Sequence, residues 1–220
     1  SRDILTVQQN FRVYMPSLWS PDHPNMYEAV SFLYRNNKLI DVYRTPFGIR
    51  KISWNSEKGF LLNDKKVVLK GVCLHHDGGN LGAAVPRAFW ERRFNILKDM
   101  GANAVRLAHN PHATEILELC DRMGLMVYNE LYDKWNTTAS AQRPGQVNDF
   151  ENNWRTDLTD FIYRDRNHPS VILWGVGNEV DQQLNDPEKA LEIYSSLAYY
   201  THEQDPSRLV TLALHPGDPE

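Results

Sequence analysis

The sequence predicts an α/β fold in which an antiparallel β piece of about fifty residues precedes a parallel sheet wound with helices. Two observations carry that prediction. Downstream of Gly48, apolar runs of strand length alternate with segments whose apolar residues recur at helical spacing. Upstream, two runs rich in aromatic and aliphatic residues flank an Asn36-Asn37 pair, a hairpin turn signal.

The first piece runs from Ile4 to Arg50. Tyr27 to Tyr34 and Leu39 to Tyr43 read as its strands, and Pro16, Pro21 and Pro24 make the Leu18-Trp19-Ser20 stretch a loop or an edge, because proline cannot donate to a ladder. A complete sandwich takes ~100 residues, so this piece is only part of one.

After Pro46-Phe47-Gly48 the pattern changes. Val67 to Leu74 reads as a buried strand, and Pro86 opens a helix with Trp90, Phe94, Leu97 and Gly101 at helical spacing. Ala102 to Leu107 is a second strand. Thr114 to Met123 is a helix with Ile116, Cys120 and Met123 on one face and Gly124 at its end. Leu125 to Tyr128 is a third strand, and Asp149 to Asp165 a helix carrying Trp154, Leu158, Phe161 and Ile162. Val171 to Val176, apolar on both faces, is a fourth strand. Asp186-Pro187 caps a helix with Leu191, Tyr194 and Ala198 on one stripe, and Leu209 to Leu214 is a fifth strand.

Such alternation implies right-handed βαβ units. A doubly wound nucleotide-binding sheet would show a glycine-rich phosphate turn, which Gly78-Gly79-Asn80-Leu81-Gly82 matches poorly. An (α/β) barrel places polar residues just after its strands. Here His75-His76-Asp77, Arg106 to His109, Asn129-Glu130, Asn178-Glu179 and His215 do follow strands.

Composition narrows the partners. The 220 residues carry 24 Lys+Arg against 28 Asp+Glu, a formal charge of −4 with the signs mixed, so nucleic acid is excluded as a partner. Apolar runs such as Val171-Ile172-Leu173-Trp174 fall far short of the ~18–20 residues of a membrane helix, so a soluble chain is expected. Two cysteines, Cys73 and Cys120, make neither a disulfide framework nor a metal set, and both are expected to be buried. The aromatic share of 11% is spread along the chain, which favours ordinary cores over sugar-stacking platforms. No targeting region is visible, and Ser1-Arg2-Asp3 does not resemble a natural start, so its absence says nothing about compartment.

Three chemistries compete. A metal site from His75, His76, His109, His112 and His215 is disfavoured, since adjacent strand residues such as His75 and His76 face opposite ways and no His-x-His or His-Glu-x-x-His spacing exists. The bland alternative is that these histidines bond loop carbonyls. Nucleophilic serine or cysteine chemistry lacks a Gly-x-Ser-x-Gly elbow, and neither cysteine looks activated. A carboxylate pair fits best. Glu179 stands at the mouth of an apolar strand, where partial burial would favour a general acid, and Glu130 ends the preceding strand. Neighbouring strands lie roughly 4.8 Å apart, within reach of the ~5–5.5 Å of a retaining glycosidase pair. The alternative for either glutamate is a salt bridge to Arg106 in the barrel mouth.

Trp174-Gly175-Val176-Gly177-Asn178-Glu179, preceded by Arg164 to Ser170, closely resembles the acid/base signature of glycoside hydrolase family 2. So do Leu69-Lys70-Gly71-Val72 with His75, Gly101 to Pro111, Leu119 to Leu125, and Thr45 to Arg50. The His-His-Asp loop and Arg106 to Pro111 look most like bacterial β-galactosidases. The resemblance implies that residues 1–50 are the C-terminal part of an immunoglobulin-like β-sandwich and residues 51–220 the first five strands of a TIM (β/α)8 barrel. The nucleophile glutamate would then follow a seventh strand, beyond Glu220, so the chain is expected to be an inactive window on a larger enzyme.

Carried over by position, Glu179 is the acid/base, and Asn178 the residue that bonds the sugar 2-hydroxyl. His109 and His75 line the sugar subsite with Asp77 and Asn110, Arg106 stands behind them, and Glu130 becomes a neighbour rather than the nucleophile. Asp133 and Trp135 support the site or contact sugar. In one respect the chain departs from the family. Well-known β-galactosidases carry a Glu-Thr-His-Gly stretch with magnesium ligands where this chain has Leu131 to Asn136, and Lys134 there would repel a cation, so no metal or other cofactor is expected. The implied activity is that of a retaining exo-β-glycosidase, most like a β-galactosidase, acting on a carbohydrate substrate with the remaining domains of the same polypeptide. A homo-oligomer stays open. The alternatives are β-glucuronidase, β-mannosidase and a non-catalytic carbohydrate-binding relative.

Overall fold

Asn36 and Asn37 both hold positive φ, 49° and 59°, a backbone that asparagine tolerates, and fold strand β1 (Tyr27–Arg35) back on β2 (Lys38–Phe47). The pair runs from Tyr27 opposite Phe47 to Arg35 opposite Lys38, with a bulge that shifts the register between Leu33 and Tyr34. It is a two-stranded sheet whose Phe32, Tyr34 and Tyr43 are exposed. The computed structural model describes residues 6–135, 150–180 and 185–214.

A second sheet, antiparallel, joins β3 (Ile52–Asn55), β4 (Gly59–Leu62) and β5 (Lys65–Lys66). The sequence pattern did not reveal it, and the barrel was expected from residue 51. Strands of four, four and two residues are too short to show alternation. The Asn63-Asp64 turn, with φ of 53° and 65°, was the available signal. Phe60 and Leu62 of this sheet pack with Trp19 against Ala104, Met126 and Ile172. Trp19 is fully buried, and its indole N–H donates to the Asp121 carbonyl at 2.8 Å.

The third sheet is parallel: β6 (Gly71–His75), β7 (Ala104–Ala108), β8 (Met126–Glu130), β9 (Val171–Asn178) and β10 (Leu209–Ala213). Helices α1 (Arg87–Asp99), α2 (Thr114–Met123), α3 (Phe150–Asp165) and α4 (Pro187–Gln204) connect them. Neighbours in space are neighbours in sequence, without the order reversal of a doubly wound sheet, so the five strands form part of a TIM barrel. Asp186 caps α4 by accepting from the Lys189 N–H at 3.1 Å. The apolar helix faces that the spacing marked out, with Trp90, Phe94, Ile116, Cys120, Leu158 and Ile162, are buried against the sheet. No helix among the described residues is long and apolar enough to cross a membrane.

Two expectations fail at the sheet edge. The first barrel strand begins at Gly71 rather than Val67, and Val68 is exposed. Cys73 is exposed as well, whereas Cys120 is buried as expected. Among the described residues β6 pairs with β7 alone, so Cys73 lacks on its other side the neighbour that a central strand has. The predicted start of α3 at Asp149 lies outside the described residues.

Candidate active site

The parallel register sets Cys73, Arg106 and Tyr128 in one row across β6, β7 and β8. Two residues further along β8, Glu130 shares the face of Tyr128, because side chains alternate along a strand. Its partner on β9 is Gly175. A methyl group at Gly175 would lie 2.4 Å from the Tyr128 ring and 2.7 Å from the Glu130 Cγ, so only glycine leaves room for both side chains.

Glu130 is fully buried, and both carboxylate oxygens are engaged. Oε1 accepts from Arg106 Nη2 at 2.9 Å, Arg106 Nε at 3.3 Å and the Tyr128 hydroxyl at 3.0 Å. Oε2 lies 3.0 Å from His109 Nδ1, which is also 3.1 Å from Arg106 Nη2. The two hydrogens of Arg106 Nη2 are taken by Glu130 Oε1 and by Asn178 Oδ1 at 2.7 Å, so Nδ1 meets Glu130 Oε2 as a donor, and in that tautomer Nε2 is left as an acceptor. Burial works against the charged Arg106, but its bonds to Glu130 outweigh that and hold it above its usual value. Burial and then the Glu130 charge push the Tyr128 hydroxyl well up, keeping it a donor. Glu130 is thus the salt-bridged carboxylate of the two readings that the sequence left open.

Arg106 also donates to Asn178 Oδ1 at 2.7 Å and to Cys73 Sγ at 3.6 Å. Asn178, nearly buried at the end of β9, gives its amide N–H to Asp133 Oδ1 at 3.1 Å. Glu179 follows in a left-handed turn, φ 43°, and is exposed. The apolar strand ends at Asn178, and the turn carries the Glu179 side chain out of it.

His75 is exposed and meets the His109 ring edge-on at 5.1 Å. His76, on the opposite face as alternation requires, stacks on Trp90 and on His112. His112 is buried with Nε2 3.2 Å from the Ala108 carbonyl, and burial pushes its pKa down to about 4, so it is neutral. Asp77 is exposed and accepts from the Gly79 N–H at 3.0 Å, capping its own turn rather than joining the network. Asn110 is exposed just after β7. Trp135 is fully buried, its indole N–H donating to the Val176 carbonyl at 2.6 Å, so the sugar-contact reading gives way to the packing one. His215 and Asn136 lie outside the described residues. The sequence reading passed over Tyr128; its spacing of two from Glu130 on one strand was the signal.

The segment that carries magnesium ligands in β-galactosidases holds one carboxylate here, Asp133, with the Lys134 ammonium 3.9 Å away. One carboxylate beside a fixed ammonium does not fit a magnesium ion, which takes several oxygen ligands in octahedral geometry. Among the described residues, no group of three or more His, Cys, Asp or Glu side chains is placed to hold a metal.

Known proteins are similar to this chain in sequence and fold. A β-galactosidase of Bacteroides ovatus is 47% identical over 179 residues, which is 81% of this chain and 21% of that protein. A β-glucuronidase of Bacteroides fragilis is 32% identical over 204 residues, 91% of this chain and 29% of that one. The crystal structure of a β-glycosidase from Bacteroides vulgatus superposes with a TM-score of 0.79 at 47% identity, covering 90% of this chain and 25% of that one. The chain therefore spans between a fifth and a third of the length of these relatives. The family models described as "Glycosyl hydrolases family 2" and "Glycosyl hydrolases family 2, TIM barrel domain" match residues 2–50 and 55–218. With five barrel strands, three of which carry the Arg106–Glu130–Asn178 network, and a family model matched over most of its length, the chain belongs to glycoside hydrolase family 2.

Proposed function

We propose that this chain carries the acid/base half of a retaining exo-β-glycosidase, with Glu179 as the acid/base and the nucleophile supplied by another segment of the enzyme. The observation that carries the reading is the placement of Glu179: exposed, at the C-terminal end of a barrel strand, directly after an Asn178 locked to Arg106. Glu179 would protonate the glycosidic oxygen as the bond breaks, then take a proton from the water that resolves the covalent intermediate. Asn178, oriented by Arg106 and Asp133, would bond the 2-hydroxyl, a contact that strengthens as oxocarbenium character develops. His109, protonated toward Glu130, would offer Nε2 to a sugar hydroxyl, with His75, Asp77 and Asn110 at the rim. No step uses a metal. In this reading residues 1–50 end a sandwich domain and residues 51–220 begin the barrel.

The sugar is proposed to be galactose, because the relative that is 47% identical is a β-galactosidase. A glucuronide is the second reading, supported by the β-glucuronidase that aligns over 91% of the chain. Aryl β-galactoside, glucuronide, mannoside and glucoside tested side by side on the intact enzyme decide between them; preference for the glucuronide overturns the galactose reading. In the same enzyme, Glu179→Ala is expected to lower kcat/KM on poor leaving groups by about 10²–10⁴, with little loss in kcat/KM on activated aryl glycosides, where azide partly restores the lowered kcat. Parent-like kinetics in that variant sink the acid/base assignment.

A further inference from the structure

The turn that presents Glu179 is held from the neighbouring strand's exit by three consecutive residues, Asp133, Lys134 and Trp135. Asp133 binds Asn178 twice: its carbonyl accepts from the Asn178 N–H at 2.8 Å and its carboxylate from the side-chain amide at 3.1 Å. Trp135 anchors the other end through the Val176 carbonyl, and its ring lies so close to Gly177 that a Cβ there would come within 2.8 Å. Between these two anchors, the Lys134 ammonium donates to the Asn178 carbonyl at 3.1 Å and to the Glu179 carbonyl.

We propose that Lys134 is a positioning residue for the acid/base, its ammonium joining the Asn178 and Glu179 carbonyls so that the left-handed turn aims the Glu179 carboxyl; this rests on the role proposed for Glu179. The physical need is visible in the backbone. A residue with a Cβ at φ 43° sits in a sparsely populated region and stays there only where its surroundings over-determine it. The N–H groups of the turn are met by other main-chain atoms, Asn178 by Asp133 and Glu179 by Ala213 at 2.8 Å each. The two carbonyls converge on the ammonium, whose three donors can serve both at once, and charge strengthens each bond. Without that cation the carbonyls repel, the turn relaxes toward negative φ, and the carboxyl leaves the line to the glycosidic oxygen. The bonds of Asp133 and Trp135 hold the backbone on either side of Lys134, which restrains where its side chain starts.

The test compares Lys134→Met, Lys134→Arg and Glu179→Ala in the intact enzyme, reading kcat/KM on an alkyl glycoside and on a dinitrophenyl glycoside of the preferred sugar. Misplacing a general acid matters only where the leaving group needs a proton. Lys134→Met is therefore expected to lose about tenfold to a hundredfold on the alkyl substrate and less than about threefold on the activated one. Lys134→Arg, which keeps a charged donor, is expected within about threefold of the parent on both. Equal loss on both substrates, or no loss, in Lys134→Met overturns the proposal. A leaving-group-independent loss in Lys134→Arg does the same even where Lys134→Met fails to fold. If Glu179→Ala shows the leaving-group dependence and Lys134→Met does not, only this inference falls; if neither shows it, the acid/base reading falls with it.

Discussion

At the residue scale the site depends on one buried charge being answered. Glu130 has no exposed surface, and Arg106 serves it together with Asn178 and Cys73. Arg106→Met is expected to destabilise the fold by about 3 kcal/mol, because it leaves a carboxylate buried without its cation; Arg106→Lys should restore little, since a point charge cannot span the same acceptors. Urea unfolding of the three proteins checks this. His112 makes a second prediction. Its folded pKa of about 4 lies below the ~6.5 of an unfolded histidine, so between these values the unfolded chain binds a proton that the folded one refuses. Stability that is complete above pH 6.5 is lost as the pH falls toward 4, by a few kcal/mol at most, and His112→Phe should flatten that limb of a urea-midpoint profile. Glu179 was legible as a candidate from its place after a strand, whereas Arg106, read as following one, lies within β7. The engagement of Glu130 was not, because spacing alone gives a salt bridge and a catalytic pair the same strand separation.

At the scale of elements, close approaches between strands and helices decide more than propensity does. β8 and β9 lie together because Gly175 has no side chain, so Gly175→Ala is expected to displace the Tyr128 ring and cost about 1–3 kcal/mol; a denaturation midpoint equal to the parent's argues against the close contact. The junction of α4 and β10 is held by Asp205, which accepts from the Trp174 indole at 2.9 Å and from Arg208. Burial pushes Asp205 up, but the Arg208 charge and its hydrogen bonds bring it down to about 2. The stability it contributes is complete above about pH 4 and disappears as the pH falls through 2, so Arg208→Met should abolish that acid limb. Helices α1 to α3 were readable from spacing and caps, since each buries one apolar face; α4 instead buries Ala190, Leu197 and Thr201 and leaves Leu191 of the expected stripe exposed. The sheet of β3 to β5 was not, because its stability comes from Trp19 and the strand beginnings of the barrel rather than from its own short runs.

At the scale of the whole chain, β6 and β10 each pair on one side only among the described residues, and the β1–β2 ribbon exposes aromatic side chains on its strands. The 220-residue chain by itself is expected to self-associate with rising concentration and to show no glycosidase activity; sedimentation showing a monomer across a hundredfold concentration range would contradict the first part. Alternating apolar periods, helix caps and the residues after each strand end were sufficient to determine the α/β class, the order of the barrel elements and the family, because each is a local pattern of burial written along the chain. Only the tertiary structure decided that Cys73 is exposed, that Trp135 packs inward, that Glu130 is committed to Arg106 and His109, and that Lys134 reaches the Glu179 turn. These are meetings between side chains and backbone of different strands, Glu130 lying 24 residues from Arg106 and Lys134 45 residues from Glu179, and strand pairing sets them where sequence distance carries no information.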